Sequence, residues 1–450
     1  MWKADYISYK GNTNFNRAYQ GTELLWEKIQ TWTDEPFWVE NINDYYIDFH
    51  VREGCIIRDR MSDASDLAGD LMCSFDKVNW KSVFDFEYQG IVPIPPHTKL
   101  WLVNTSDVEL EANPIDLHHI YNLFRILKSG GNWHEENFAE FNVGGNFHSI
   151  IYNWNDKVRN VKTDYAFFGM FCRMKVVDAS QLLLPSVNLT EGCYHIMFDS
   201  CRSLTKAPIL PPKLHLDSVS CDSMFAGCNS LVKAPILDIS SIQGEHSCYE
   251  MFDYCTSLKT CKINVEHIGK YSFDSMFYYC QRLESVEINS VKSVGLGGCA
   301  KMFKYCTSLL KAPKISATSL DTSSYREMFC NCTSLIDASE ITLLQDRNIR
   351  IPLGCYSYMF YNCTSLKKAP KILSYYANYN SLFDMFAGCI SLTEVVCLLD
   401  TNDYLTNCST QGWFKYLDTE GKFYKNPNSD DWAIGDDGIP AKWEIIDYTE

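Results

Sequence analysis

The chain has 450 residues, 46% of them hydrophobic, enough material for two or three domains with their own cores. A formal charge of −16 and a pI near 5.1 argue against a surface for nucleic acid or anionic membrane, and no run of Lys and Arg supplies a local one. No stretch approaches the roughly 18 apolar residues of a membrane span, and the opening MWKADYISYKGNTNF has no signal-peptide core, so neither membrane nor export route is expected.

Residues 1–35, with YQGTELLWEKIQ, read as a β-hairpin or arm that attaches the chain to something else. From 36 to 120, segments such as NDYYIDFHV and TKLWLVNTS alternate apolar and polar residues between turn signals such as PIPPHT, which predicts a small β-rich domain. Residues 121–169 read as a transition and N-terminal cap. Leu123-Phe124 and Ile150-Ile151 can be laid on the later repeat as degenerate copies. Of the eleven tryptophans, eight lie between Trp2 and Trp154 and three between Trp413 and Trp443, so the middle of the chain is compositionally distinct.

That middle, 170–397, is a repeat. Copies of a Met-Phe phrase start at Met197, Met224, Met251, Met276, Met302, Met328, Met359 and Met385, with a weaker one at Met170. The spacings from Met170 onward are 27, 27, 27, 25, 26, 26, 31 and 26 residues, the period of a leucine-rich solenoid, with one insertion at LLQDRNIRIPLG. Counting the Met as position 0, Phe stands at 1, Cys at 4, Leu at 7, usually Ala at 10, and Ile or Leu at 12 or 13. Positions 0, 4 and 7 share a helical face, so MFYNCTSL predicts a short helical or 3₁₀ turn with Met, Cys and Leu inward, and KKAPKI a short strand. Pro208, Pro235, Pro313 and Pro370 fall at the start of that strand, where a missing N–H does least harm. One coil cannot bury its apolar side; stacked coils place Phe on Phe and Cys on Cys, so each copy is its neighbour's core. Residues 398–450, ending GKFYKNPNSDDWAIGDDGIPAKWEI, read as a C-terminal cap.

Twenty cysteines in a large chain, many at one repeat position and none in a CxxC pair, predict reduced core thiols and not a disulfide or zinc framework. HEEN at His134–Asn137 lacks the second histidine of a zincin helix, and Asp430, Asp431, Asp436 and Asp437 lack the glycine and closing glutamate of a calcium loop. No catalytic residue, metal site or cofactor is expected. One surface feature stands out: position 3 is Tyr254, Tyr279 and Tyr305 in three consecutive coils. If position 4 faces in, these rings form a partly exposed ladder, either a stiffening stack or a ligand-binding stripe, extended by Tyr278, Tyr361 or the Tyr375, Tyr376 and Tyr379 loop.

The phrase MFxxCxSLxxAP, the stretches GGNFHSIIY and YAFFGMF, and the ending GKFY…GIPAKWEI resemble the BspA-type leucine-rich repeat proteins of Bacteroidetes and their phages, over about residues 140–450. The N-terminal YISYKGNTNFNRAYQGTELLWEK is similar to segments of phage proteins of that group. The resemblance implies a right-handed solenoid with a non-enzymatic binding surface. It implies a virion surface part (head fibre, tail fibre or capsid decoration) assembled in the host cytoplasm. Its partners would be phage structural proteins at the N-terminal part and a host surface glycan or protein at the solenoid. A bacterial cell-surface adhesin is the alternative, and a glycan-cleaving enzyme a lesser one. A homo-oligomer is compatible with a fibre, although no heptads supply the contact.

Overall fold

The computed structural model describes residues 35–51, 71–83, 85–86, 90–104, 124–131, 135–150, 164–184, 186–344, 346–407, 409–435 and 438–449, and the backbone of four short strands before residue 25. Those four form two antiparallel ladders, Tyr6–Tyr9 on Asn12–Phe15 and Tyr19–Gln20 on Glu23–Leu24, within the span read as a hairpin arm. Leu123, His134, Ile151, Asp436, Asp437, Cys55 and Cys408, named above or counted among the cysteines, lie outside the described residues.

The alternating segments build two sheets. One runs in the order Val176–Leu183, Phe141–Asn146, Phe37–Asn41, Lys99–Asn104, Leu71–Ser74, Lys81–Ser82; the other is Phe124–Lys128, Ile47–Val51, Ile91–Ile94. Their inward residues, among them Phe37, Val39, Phe49, Ile94, Leu100, Phe124 and Ile126, form one core. The sandwich extends past residue 120. Phe124–Lys128 pairs antiparallel with Ile47–Val51, which no described solenoid coil does, so Phe124 belongs to the sandwich and not to a degenerate coil. Phe141–Asn146 has two roles: it pairs antiparallel with Phe37–Asn41 and parallel with Val176–Leu183, the strand of the first coil. The sandwich thereby covers the edge that the first coil would otherwise expose. Gly144 and Gly145 permit this junction. A Cβ on Gly144 would stand 2.2 Å from the Trp38 ring, and one on Gly145 2.1 Å from the Pro36 carbonyl.

The repeats form a β-solenoid of leucine-rich type. Its axis is a column of phenylalanines at position 1, from Phe171 through Phe198, Phe225, Phe252, Phe277, Phe303, Phe329, Phe360 and Phe386 to Phe414, with centroids 4.9 to 5.7 Å apart and planes within 17° of parallel. Met, Phe, Cys and Leu at positions 0, 1, 4 and 7 are all fully buried in the eight clear copies. The column shows one coil more than the Met-Phe count: Trp413-Phe414 stands where Met-Phe is expected, 28 residues after Met385, inside the span read as cap. From the Met385 coil onward, Glu394–Cys397, Gly421–Lys425 and Trp443–Asp447 continue the parallel ladder, and Trp413, Phe423, Trp432 and Trp443 close the end of the core.

The expected helical turn is not helical. Across "MFxxC" the backbone alternates. In the Met224 coil the N–H groups of Cys221, Ser223, Phe225 and Gly227 donate to carbonyls of the next coil, and those of Asp222, Met224, Ala226 and Cys228 donate to the residue three back in their own coil. Every fourth residue is left-handed, as at Val219, Ser223 and Gly227 with φ of +45°, +51° and +68°. A helix would spend all its N–H groups on itself; this chain of turns spends half on its neighbour, so the coils are stitched by backbone as well as by side chains.

The cysteines complete the same pattern. Each position-4 thiol from Cys201 to Cys389 donates to the carbonyl of the position-1 Phe in the preceding coil, at 2.9 to 3.2 Å. That carbonyl already accepts one N–H from its own coil, as Phe225 does from Cys228. Cysteine is therefore an apolar filler that also satisfies a buried second lone pair, which alanine does not. The eighteen described cysteines are buried, with no disulfide among them. Burial pushes the thiols far above their usual range, as at Cys201 and Cys228, so they are poor nucleophiles. Titration of the denatured, unreduced protein is expected to return all twenty thiols, and the native protein only a small fraction; a denatured count well short of twenty would reveal disulfides.

Strand content varies along the stack and proline alone does not set it: Leu237–Ile242 follows on Pro235, whereas the Met328 coil, with Ser339 in place of proline, has only isolated bridges at Asp337 and Ile341. Thr260–Asn264 and Ser285–Asn289, which contain none, pair over five residues. The Pro313 coil keeps only isolated bridges on either side of its proline, Lys311↔Asp337 and Ile315↔Ile341.

Candidate functional site

Position 3 is a left-handed residue of the turn chain, and its side chain lies on the turn face. Tyr254, Tyr279 and Tyr305 there have φ of +53°, +58° and +64°, a backbone state that bulky residues rarely adopt. Their rings stack: Tyr254 to Tyr279 is 4.8 Å with planes 3° apart, and Tyr279 to Tyr305 is 4.4 Å with planes 28° apart. Tyr278, at position 2, lies edge-on to Tyr305 at 5.8 Å and tilted against Tyr254 and Tyr279. The structure thus brings four expected tyrosines together. Tyr361 packs instead against Tyr358, and Tyr375 and Tyr376 lie against Arg347 and Arg350 of the insertion, while Tyr379 is exposed apart from the stack.

The stack is short because its column changes character. In chain order position 3 reads Arg173, Ser200, Gly227, the three tyrosines, Asn331, Asn362, Gly388 and, in the Trp413 coil, Tyr416. Past the tyrosines the asparagines continue as a hydrogen-bonded rung, Asn362 Nδ2 donating to Asn331 Oδ1 at 2.8 Å. Ser, Gly and Asn are ordinary occupants of a left-handed turn; three tyrosines are a departure that local backbone preference does not explain.

Beside the column runs an acidic edge: Asp222, Glu250 and Asp253 occupy neighbouring positions over two coils. Burial raises the Asp222 and Asp253 carboxyls to about 7, and the Glu250 charge adds to both. Ser223 Oγ donates to Asp222 at 2.7 Å and pulls the other way. His195 lies 3.9 Å from Asp222 with the Phe168 ring edge-on at 5.2 Å, and burial lowers it to about 4, so it is a neutral packed ring at neutral pH.

A second feature, on the strand face, is an open groove of about 800 Å³ over Thr260–Lys262 and Glu284–Asn289, flanked by Lys233, Lys311 and Glu340. Lysines and carboxylates of successive coils pair across it, Lys262 with Glu287 at 2.8 Å and Lys259 with Glu284 at 2.9 Å. Exposed pairs of this kind contribute at most about 1 kcal/mol each, but opposite signs at one position favour one coil order. The sequence signal for this face was present in Lys at position 9 before Ala-Pro and in Lys or Glu at positions 8 and 11, yet it names no cleft until the coils are stacked.

Among the described residues no three His, Cys, Asp or Glu side chains form a group able to hold a metal. Asp430 is engaged by Lys425 at 2.9 Å. No described helix is long and apolar enough to cross a membrane.

The coil geometry defines the class: a leucine-rich repeat solenoid capped by a β-sandwich, with an aromatic stack on its turn face. No family model matches the chain, and no curated protein does. Solved structures with likeness to it include a leucine rich cell surface protein from Faecalibacterium prausnitzii A2-165, at 16% identity over 70% of this chain and 92% of that one, TM-score 0.29. A leucine-rich repeat protein from Bacteroides ovatus ATCC 8483 is 15% identical over 74% and 88%, TM-score 0.22. One from Eubacterium ventriosum ATCC 27560 is 13% identical over 66% and 87%, TM-score 0.24. At these scores the fold rests on the chain's own coils and ladders.

Proposed function

We infer that the chain is a non-enzymatic surface adhesion protein whose solenoid displays a binding surface. The finer reading is a virion surface part of a Bacteroidetes phage, a head fibre, tail fibre or capsid decoration held by its N-terminal part; a bacterial cell surface is the alternative station. The observation that carries the reading is the half-exposed stack of Tyr254, Tyr279 and Tyr305 in three adjacent coils, flanked in the same column by Ser200 and Gly227 on one side and Asn331 and Asn362 on the other. Flat aromatic faces suit sugars and protein interfaces alike, and the core beneath does not need them. Buried thiols with no disulfide among the described cysteines suit a chain that folds in a reducing compartment, as a virion part does. The sandwich shares a sheet with the first coil, which suits attachment through the N-terminal arm, residues 1–35, with the later coils facing outward.

The test is binding of the full chain to intact Bacteroidetes cells with and without capsular polysaccharide. Tyr254→Asn, Tyr279→Asn and Tyr305→Asn together, chosen because Asn331 and Asn362 already occupy this column, are expected to lower cell affinity by about tenfold or more with the melting temperature kept near that of the parent. Unchanged affinity in a folded triple variant would reduce the stack to a stiffener. Antibody labelling of purified phage particles against cell envelopes separates virion from bacterial surface.

A further inference from the structure

The tyrosine stack has two unlike ends. At the Tyr305 end the Lys304 ammonium lies 5.7 Å from the ring centroid, a cation against an aromatic face. At the other end the next member of the column is Gly227, so the column sets no side chain against the outer face of Tyr254, which is 47% exposed. Ala226 beside it is equally short. The result is a notch one coil deep, with Asp199 and Ser200 of one coil on one side and Asp253 and Tyr254 of another on the other. The two coil steps that span it measure 5.4 and 5.5 Å at the adjacent phenylalanines, room for one ring laid on Tyr254.

The charge of the notch narrows what that ring carries. Several carboxylates of the solenoid meet a lysine of a neighbouring coil, as in Lys270–Glu245 at 2.7 Å and Lys292–Glu266 at 2.6 Å. Asp253 differs. Among the described residues it makes no ion pair, its Oδ1 is buried without a hydrogen-bond partner, and the charges that reach it, Glu250 and Asp199, share its sign. Asp199, by contrast, accepts from the Cys172 thiol and the Ser200 hydroxyl and has Arg173 and Arg202 nearby. An uncharged sugar on Tyr254 would leave Asp253 uncompensated, and a lysine side chain would match the charge without covering the ring.

We propose that the Ala226–Gly227 notch binds an amine-bearing hexose unit of a surface glycan, its ring on the free face of Tyr254 and its ammonium against Asp253. The inference rests on the adhesion reading above and names its ligand chemistry.

The experiment titrates the full chain with glucosamine oligomers, with the same oligomers N-acetylated, and with polylysine, at near-neutral pH and two salt concentrations. Gly227→Tyr fills the notch with a residue this column accepts, since φ at Gly227 is +68° and a new Cβ there meets first the mobile Ser200 Oγ at 3.2 Å. Glucosamine oligomers are expected to bind at least about tenfold more tightly than the acetylated ones, with salt weakening them, and Gly227→Tyr and Asp253→Asn each to lose about tenfold. Equal binding of the two oligomers, tighter binding of polylysine, no saturable binding of glucosamine oligomers, or full affinity in both variants would overturn the proposal. If the full chain binds cells and Gly227→Tyr binds them as well, the notch assignment fails and the adhesion reading stands; if the parent binds no cells, the adhesion reading itself fails.

Discussion

Replacing Phe277 by alanine is expected to destabilise the solenoid by about 3–5 kcal/mol, the range for a large aromatic removed from a sealed core. Its ring sits between Phe252 and Phe303 at 5.5 Å on either side, with planes 4° and 7° from parallel, and it is fully buried. A neighbour cannot fill the gap without leaving its own backbone rung: the Phe277 N–H donates to Met302 and its carbonyl takes the Cys306 thiol. Because each coil touches only its neighbours, the damage should be local. Hydrogen exchange should show the Met251, Met276 and Met302 coils losing protection first, with the sandwich least affected. A loss below about 1 kcal/mol by denaturant titration would mean that the coils slide together and close the void.

The acidic edge gives a second large effect, with a sign opposite to ordinary acid unfolding. Burial holds the folded-state carboxyls of Asp222 and Asp253 up at about 7, against 3.8 unfolded. Between those values the folded chain holds protons that the unfolded chain has lost, so these two groups make stability fall as pH rises from about 4 to about 7 and then level off. His195, lowered to about 4 by burial, works the other way over part of the window: the unfolded imidazole takes its proton first, so its contribution is lost as pH falls through 6.5 towards 4. Asp222→Asn with Asp253→Asn isolates the carboxylates. Relative to the parent, the double variant should gain stability steadily between pH 4 and pH 7 and reach a plateau of about 2 kcal/mol per site, discounted for the solvent both still reach. Melting curves across that range check it, and a constant difference at every pH would remove these carboxylates from the account.

The repeat itself was legible before any coordinates. A period near 26 with Met, Phe, Cys and Leu at fixed places specifies a stacked core, because a coil that short cannot bury its apolar residues alone, and all four positions are buried in the structure. The sequence places the prolines at the start of a strand; Pro235 does stand just before Leu237–Ile242, whereas Pro313 lies between single bridges at Lys311 and Ile315. The turn was misread: Met, Cys and Leu at 0, 4 and 7 fit a helix by periodicity, and periodicity carries no information about left-handed residues at every fourth position. The last coil was missed because Trp413 replaces the Met that marked the others.

For the candidate site, the sequence by itself determined that Tyr254, Tyr279 and Tyr305 share one column, since equal repeat positions in adjacent coils must lie side by side. Only the tertiary structure decided that they stack face to face, that the free face lies over Gly227, and that Asp253 stands beside it with an unsatisfied oxygen. The same holds for the sandwich, whose strand Phe141–Asn146 joins the solenoid ladder through pairings more than 30 residues apart. A repeat tells which residues are equivalent, because equivalence is a property of spacing. Which of them are sealed, open or left without a partner depends on what packs across from them, and that is fixed by contacts the linear order does not contain.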